Sequence, residues 1–226
     1  MKTRILLFLI SFGILCATSC SRMDATYADF IKDGKIIYPG KADSVSVFPG
    51  KNRLLLSWLL FDPNVTRVKI YWDNRTDSME LTVAHSSGID SMKTLLSDME
   101  ERDYLFEYFT YDADGNQSVR VEAQGRAYGD LYTNSLLNRP IQRVEIVNDT
   151  TRVYWGESSD TGLIGTSLEY ADTQNQIRTV FADAETTTTS LPERKPDTDL
   201  RYRTVFLPHP MAIDTFYTAY ETIPLN

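Results

Sequence analysis

The sequence predicts an all-β protein of two tandem β-sandwiches, and three observations carry the prediction. Short segments of alternating apolar and polar residues recur between turn residues from Asp43 to the end of the chain. No apolar stripe of 3.6-residue period and useful length interrupts them. The pattern also runs twice, with a tryptophan late in the second segment of each half.

The first set reads SVSVF (44 to 48), NRLLLSWLL (52 to 60), TRVKIYW (66 to 72), SMELTVA (78 to 84), MKTLL (92 to 96), YLFEYFTYD (104 to 112) and NQSVRVEAQG (116 to 125). Because neighbouring side chains in a strand point to opposite faces, Leu54, Leu56, Trp58, Val68, Ile70, Tyr104, Phe106 and Tyr108 share the expected core face, and Trp72 joins them. Tyr71, Leu105, Phe109 and Tyr111 then point the other way. The segment RAYGDLYTNSLLNRP has turn residues and broken periodicity, which makes 127 to 139 the expected linker. The second set reads IQRVEIV (141 to 147), TRVYWG (151 to 156), GTSLEYA (165 to 171), QIRTVFA (176 to 182), TTTTSL (186 to 191), LRYRTVFLP (200 to 208) and TFYTAYETI (215 to 223). The expected domains are 41 to 126 and 140 to 226. The Trp in each second strand and the Tyr-rich sixth strand give each half a resemblance to a fibronectin type III module. With no cysteine in either half, the disulfide-bridged immunoglobulin version is excluded.

The N-terminus reads as a secretory signal over 1 to 19. Lys2 and Arg4 precede an apolar run from Ile5 to Ala17, shorter than the roughly 20 residues a spanning helix needs. Small residues Ala17, Thr18 and Ser19 lead into Cys20. Both cysteines, Cys16 and Cys20, lie here, so an exported mature chain carries one unpaired thiol. A cysteine after small residues at the end of a signal resembles the bacterial lipobox, which implies acylation of Cys20, attachment to a membrane through that lipid, and a tethering segment over 20 to 40.

The formal net charge is −8, and cleavage before Cys20 removes Lys2 and Arg4 and no acid, leaving a still more acidic chain. No cluster of Lys and Arg offers itself to phosphates, so nucleic acid is excluded as a partner. The sequence contains no G-x-S-x-G, P-loop or dinucleotide fingerprint. The two histidines, His85 and His209, sit in expected loops without the neighbouring ligands of a zinc site. These readings imply a protein that is not an enzyme and uses no cofactor.

Several ordered strings, FIKDGKIIYPGKADSVSVFPGKNRLLLSW, KIYWDNRTDSMEL, YDADGNQSV, YGDLYTNSLLNRPI and FLPHPMAIDTFYT, resemble a family of Bacteroidetes lipoproteins known as domain of unknown function 4998. The resemblance covers almost the whole mature chain. It implies an exported lipoprotein of fibronectin-like modules, of the kind found beside carbohydrate-handling genes, on the outer membrane and facing the periplasm or the cell surface. Longer members carry a further ligand-binding domain, expected to be missing from a chain that stops at Asn226. Exported proteins of this phylum can be O-glycosylated at Asp followed by Ser or Thr and then an apolar residue or Thr, and Ser44, Ser78, Ser91 and Thr150 fit that pattern beside the reading as ordinary strand-edge residues.

Binding has the better support among functions. Sugars stack on exposed aromatic faces, and Tyr71, Phe109 and Tyr111 fall on one outward face, where a contiguous apolar patch marks a binding surface. The same face can instead pack against the second sandwich or the segment from Tyr27 to Tyr38. The expected function is an accessory protein engaging glycans or other envelope proteins, with a structural spacer or adhesion subunit as the alternative and a carbohydrate-active hydrolase behind both. Asp112, Asp114 and Asn116 in YDADGNQS resemble calcium ligands. An EF-hand loop needs glycine sixth and glutamate twelfth, whereas Gly115 is fourth and Ala123 twelfth. A hairpin turn, with Asp-Gly and Gly-Asn tolerating positive φ, is the reading that fits best, beside other calcium geometries.

Overall fold

The computed structural model describes residues 38 to 85 and 88 to 223. The signal segment, Cys20 and the tether up to residue 37 lie outside the described residues. From Pro39 onward the chain forms one compact unit. The strands of its first half are β1 (Asp43–Gly50), β2 (Arg53–Leu60), β3 (Arg67–Trp72), β4 (Asp77–Thr82), β5 (Asp90–Ser97), β6 (Asp103–Tyr111) and β7 (Val121–Arg126). A short helix α1 (Asp130–Ser135) follows. The second half contains β8 (Ile141–Val147), β9 (Thr150–Trp155), β10 (Leu163–Ala171), β11 (Ile177–Asp183), β12 (Thr188–Leu191), β13 (Leu200–Phe206), β14 (Phe216–Tyr217) and β15 (Glu221–Ile223).

The two halves repeat one topology. A three-stranded sheet β1-β2-β5 faces a four-stranded sheet β4-β3-β6-β7, and β8-β9-β12 faces β11-β10-β13, with β14 and β15 both paired to β13. All pairings between these strands are antiparallel. Strict alternation in β2, with Leu54, Leu56, Trp58 and Leu60 fully buried, supplies one wall of the first core. Val68, Ile70, Phe106 and Tyr108 supply the other. Trp58 meets Tyr108 edge-on at 5.6 Å, and Trp155 meets Tyr202 at 5.8 Å in the second core. Tyr104, at the start of β6, donates its hydroxyl to the Glu100 carbonyl at 3.1 Å, the corner found at this position in immunoglobulin-like sandwiches.

The final strand of each half starts or breaks where alternation alone predicts continuity. In the first half, Thr110 donates its N–H to Ser118 Oγ (3.0 Å) and Ser118 returns its own N–H to the Thr110 carbonyl (2.9 Å). Thr204 and Thr218 make the same exchange in the second half, at 2.8 and 3.0 Å. A hydroxyl thus replaces a ladder carbonyl, so regular pairing resumes only at Val121 and the segment 215 to 223 divides into β14 and β15.

The segment 127 to 139 is the place where the halves are joined. α1 is a turn and a half of helix that the sequence pattern does not mark. Both carboxylate oxygens of Glu101, from the β5–β6 loop, accept the N–H groups of Leu131 and Tyr132 at 2.7 Å and so cap it. Tyr128, Tyr132 and Phe216 form an edge-on ring cluster, 4.9 to 6.0 Å apart, against buried Leu136 and Phe206. Ile213 donates its N–H to the Pro49 carbonyl at 2.7 Å. Asp214 accepts from the Lys51 N–H and Arg53 Nε, each at 2.8 Å.

Candidate functional site

The outer face of β4-β3-β6-β7 is built by register. Tyr71 lies opposite Ser78 on one side and Glu107 on the other; Lys69 lies between Glu80 and Phe109; Arg67 lies between Thr82 and Tyr111. Tyr71, Phe109 and Tyr111 therefore share one face, as alternation predicts. Tyr71 and Phe109 meet edge-on at 6.0 Å.

Their faces are covered by cations. Arg67 sits 4.5 Å over the Tyr111 ring, Lys69 4.9 Å over Tyr71, and Arg75 5.3 Å over Phe109 and 5.7 Å over Tyr71. Such contacts are worth about 0.5–1 kcal/mol each at exposed sites. Phe109 is 6% exposed, while Tyr71 and Tyr111 are half-buried. The trio is thus not a bare stacking platform, because long cationic side chains bury their stems along aromatic surface and keep their heads in water.

Arg75 reaches the rings from an unusual turn. Asp73, Asn74 and Arg75 have φ values of 50°, 54° and 67°, a left-handed region that Asn and Asp tolerate and that costs an arginine about 1 kcal/mol. Arg102 clamps the turn by donating Nη1 and Nη2 to the two Asp73 oxygens at 2.7 and 2.6 Å. This pair holds the Asp73 carboxyl below the usual range. Arg75 then donates to Glu107, which also accepts from Arg120 Nη1 at 2.6 Å. Glu107 is mostly buried, and the Arg75 hydrogen bond, helped by Arg120, holds its carboxyl below the usual range. Beside it lies a groove of about 450 Å³, lined by Tyr71, Trp72, Arg75, Tyr104, Glu107 and Arg120 among others.

Arg67, Lys69 and Glu107 were within reach of sequence reasoning, since steps of two from Tyr71 and Phe109 place them on the same face. Arg75 and Arg120 were not, because they come from a turn and from an irregular segment.

The residues of the calcium reading form a self-contained turn. Asp112 Oδ1 accepts the N–H groups of Asp114 (3.1 Å) and Asn116 (2.8 Å), and its Oδ2 accepts the Asn116 side-chain amide (2.7 Å). Gly115 sits at φ 85°. The same turn recurs in the second half, where Asp172 Oδ1 accepts from Gln174 and Gln176 at 2.9 and 2.8 Å. These hydrogen bonds hold the Asp112 carboxyl below its usual range, first through the Asn116 side chain. Among the described residues, no group of three or more His, Cys, Asp or Glu gathers as a metal site.

Ser44, Ser78 and Ser91 are exposed on strands paired on one side only, and Thr150 is half-buried in the central strand of its sheet. His85 directs Nδ1 to Asp90 at 2.6 Å and Nε2 to the Val65 carbonyl. Its two acceptors, Asp90 first, raise its pKa, and both ring nitrogens are committed to holding a loop. His209 accepts the Met211 N–H on Nδ1.

The family model of a domain of unknown function, DUF4998, matches residues 20–216. No curated protein sequence matches the chain. Among solved structures, the FN1–FN3 domains of chicken CNTN1 align at 12% identity over 82% of this chain, with a TM-score of 0.44. The chain spans 65% of the length of that structure. A two-domain fibronectin type III segment of chicken tenascin aligns at 12% identity over 80% of this chain and 97% of its own length, with a TM-score of 0.30.

Proposed function

Since the chain belongs to the family known as domain of unknown function 4998 and is built of two fibronectin type III-like sandwiches, we propose that it is an exported, lipid-anchored accessory protein of the cell envelope that binds a glycan without chemically altering it. The matched span starts at Cys20, the residue whose acylation provides the anchor. The glycan is held on the outer face of β4-β3-β6-β7.

The observation that carries this reading is the turn that spends a left-handed arginine to bring Arg75 over Tyr71 and Phe109 beside the Glu107 groove. Backbone strain held by a surrounding ion pair supports a functional reading of this turn. Guanidinium groups and a carboxylate at a groove rim supply directed hydrogen bonds to sugar hydroxyls and carboxylates, while the ring edges supply apolar contact. Stacking in the usual sense requires Lys69 or Arg75 to swing aside.

A glycan array on the mature chain, run beside Tyr71→Ala and Arg75→Ala, tests the reading. Signal on a class of glycans that both variants lose supports it; no signal on any glycan removes it.

A structural spacer is the second reading, and the joint favours it. Backbone hydrogen bonds, a ring cluster and an ion pair bind the two sandwiches, which is more than a flexible connection needs. The two readings are compatible, since a stiff arm on a lipid anchor holds a binding face away from the membrane.

A further inference from the structure

The edge strand β11 differs from its counterpart in the first sandwich by the apolar side chains it exposes. Its outward side chains are Ile177, Thr179 and Phe181, with Ile177 69% and Phe181 56% exposed. The matching edge strand, β4, presents Ser78, Glu80 and Thr82 there. Phe181 lies across the bare backbone of Gly165, where a Cβ would stand 2.2 Å from its ring.

Among the described residues the backbone of β11 is also unpaired along its outer edge. The Ala184 N–H donates to the Ile164 carbonyl, in step with the β10 register. Alternation therefore turns residues 178, 180 and 182 toward β10 and leaves the N–H and C=O groups of Ile177, Thr179 and Phe181 facing outward. The strand has no lysine, proline or bulge; its two charged residues are engaged within the chain, Arg178 with Asp172 and Asp183 with the N–H groups of Glu185 and Thr186.

We infer that β11 is a self-association edge, at which two copies of the chain pair antiparallel about a two-fold axis through Thr179. A second copy is the occupant because the strand is self-complementary. Joining two sheets face to same face requires odd residues to oppose odd residues. Among such registers, the one centred on Thr179 sets Ile177 of each protomer against Phe181 of the other and Thr179 against itself. The register centred on Val180 sets Ile177 against Asp183, and the one centred on Arg178 leaves Phe181 opposite the turn residue Asn175. In the Thr179 register every outward N–H and C=O of Ile177, Thr179 and Phe181 gains a partner, and each apolar side chain gains an apolar neighbour.

Sedimentation velocity of the chain from residue 20, carrying Cys20→Ser, tests this across concentration. The expected result is a concentration-dependent dimer. Thr179→Pro removes one outward N–H without touching the β10 ladder, and Phe181→Lys places a charge at the contact; each is expected to give a monomer, Thr179→Pro melting as the parent does and Phe181→Lys lower for the lost packing over Gly165. Thr179→Cys is expected to cross-link across the axis on mild oxidation, giving a reducible dimer that Thr222→Cys does not. A monomer up to the solubility limit, or a dimer that survives Phe181→Lys, overturns the inference.

Discussion

Arg53 at the start of β2 and Asp214 in the loop before β14 stand 161 positions apart in sequence and form a two-point ion pair across the joint between the sandwiches. The Lys51 N–H donates to the same carboxylate. Asp214 is only 20% exposed, so the pair is partly withdrawn from water and its hydrogen bonds count for more than those of a surface pair.

Asp214→Ala leaves the Arg53 guanidinium and the Lys51 N–H without this acceptor. The expected cost is about 1–3 kcal/mol, seen as a lower urea midpoint. Small-angle scattering of the variant is expected to show a wider spread of separations between the two halves.

Glu101→Ala uncaps α1, leaving the Leu131 and Tyr132 N–H groups to find water. The expected loss is about 1–2 kcal/mol, with faster amide exchange confined to 129 to 136 in a hydrogen-exchange map.

Much of the fold was legible because period two is a strong signal. Leu54, Leu56, Trp58, Val68, Ile70, Phe106 and Tyr108 all lie in the core they were assigned to. Strand ends set by a hydroxyl in the ladder, as at Ser118 and Thr218, were not legible, since any strand-edge Ser or Thr looks the same in sequence. Nor was α1, too short to show a stripe and capped by a residue on another loop. The candidate site divides in the same way. Alternation placed Tyr71, Phe109 and Tyr111 on one face, but the cation over each ring depends on side-chain direction and on the Asp73 to Arg75 turn. Arg53 and Asp214 meet only because the folded halves bring them together.

Two tyrosine and tryptophan environments make opposite predictions. The Tyr108 hydroxyl is buried with no hydrogen-bond partner among the described residues, and burial pushes its pKa up. Tyr108→Phe is therefore expected to leave stability within about 0.5 kcal/mol or to raise it. Trp155 Nε1 instead donates to Thr189 Oγ1 at 2.9 Å. Thr189→Val strands that buried donor and is expected to cost about 1–3 kcal/mol, measured by the same chemical denaturation.

The pH response has two limbs of opposite sign. Asp214, Asp73 and Glu107 are held below their ordinary values, each chiefly by a hydrogen bond from an arginine. Their contributions are present above about pH 4 and are lost as pH falls through the depressed values. His85 is raised by Asp90 and the Val65 carbonyl. Its contribution is full below about pH 6.5 and is lost as pH rises through the raised value. An NMR titration should place the His85 midpoint above that of a free histidine, with the His85 contacts to Asp90 and the Val65 carbonyl loosening on the alkaline side.

The most direct test of the central claim, the proposal that a glycan binds the outer face of β4-β3-β6-β7, is an amide chemical-shift map of the chain from residue 20 titrated with envelope polysaccharide. Saturable shifts concentrated at Lys69, Tyr71, Arg75, Glu107 and Arg120 are the predicted result. A spectrum that does not move, or shifts confined to the second sandwich, would contradict the account.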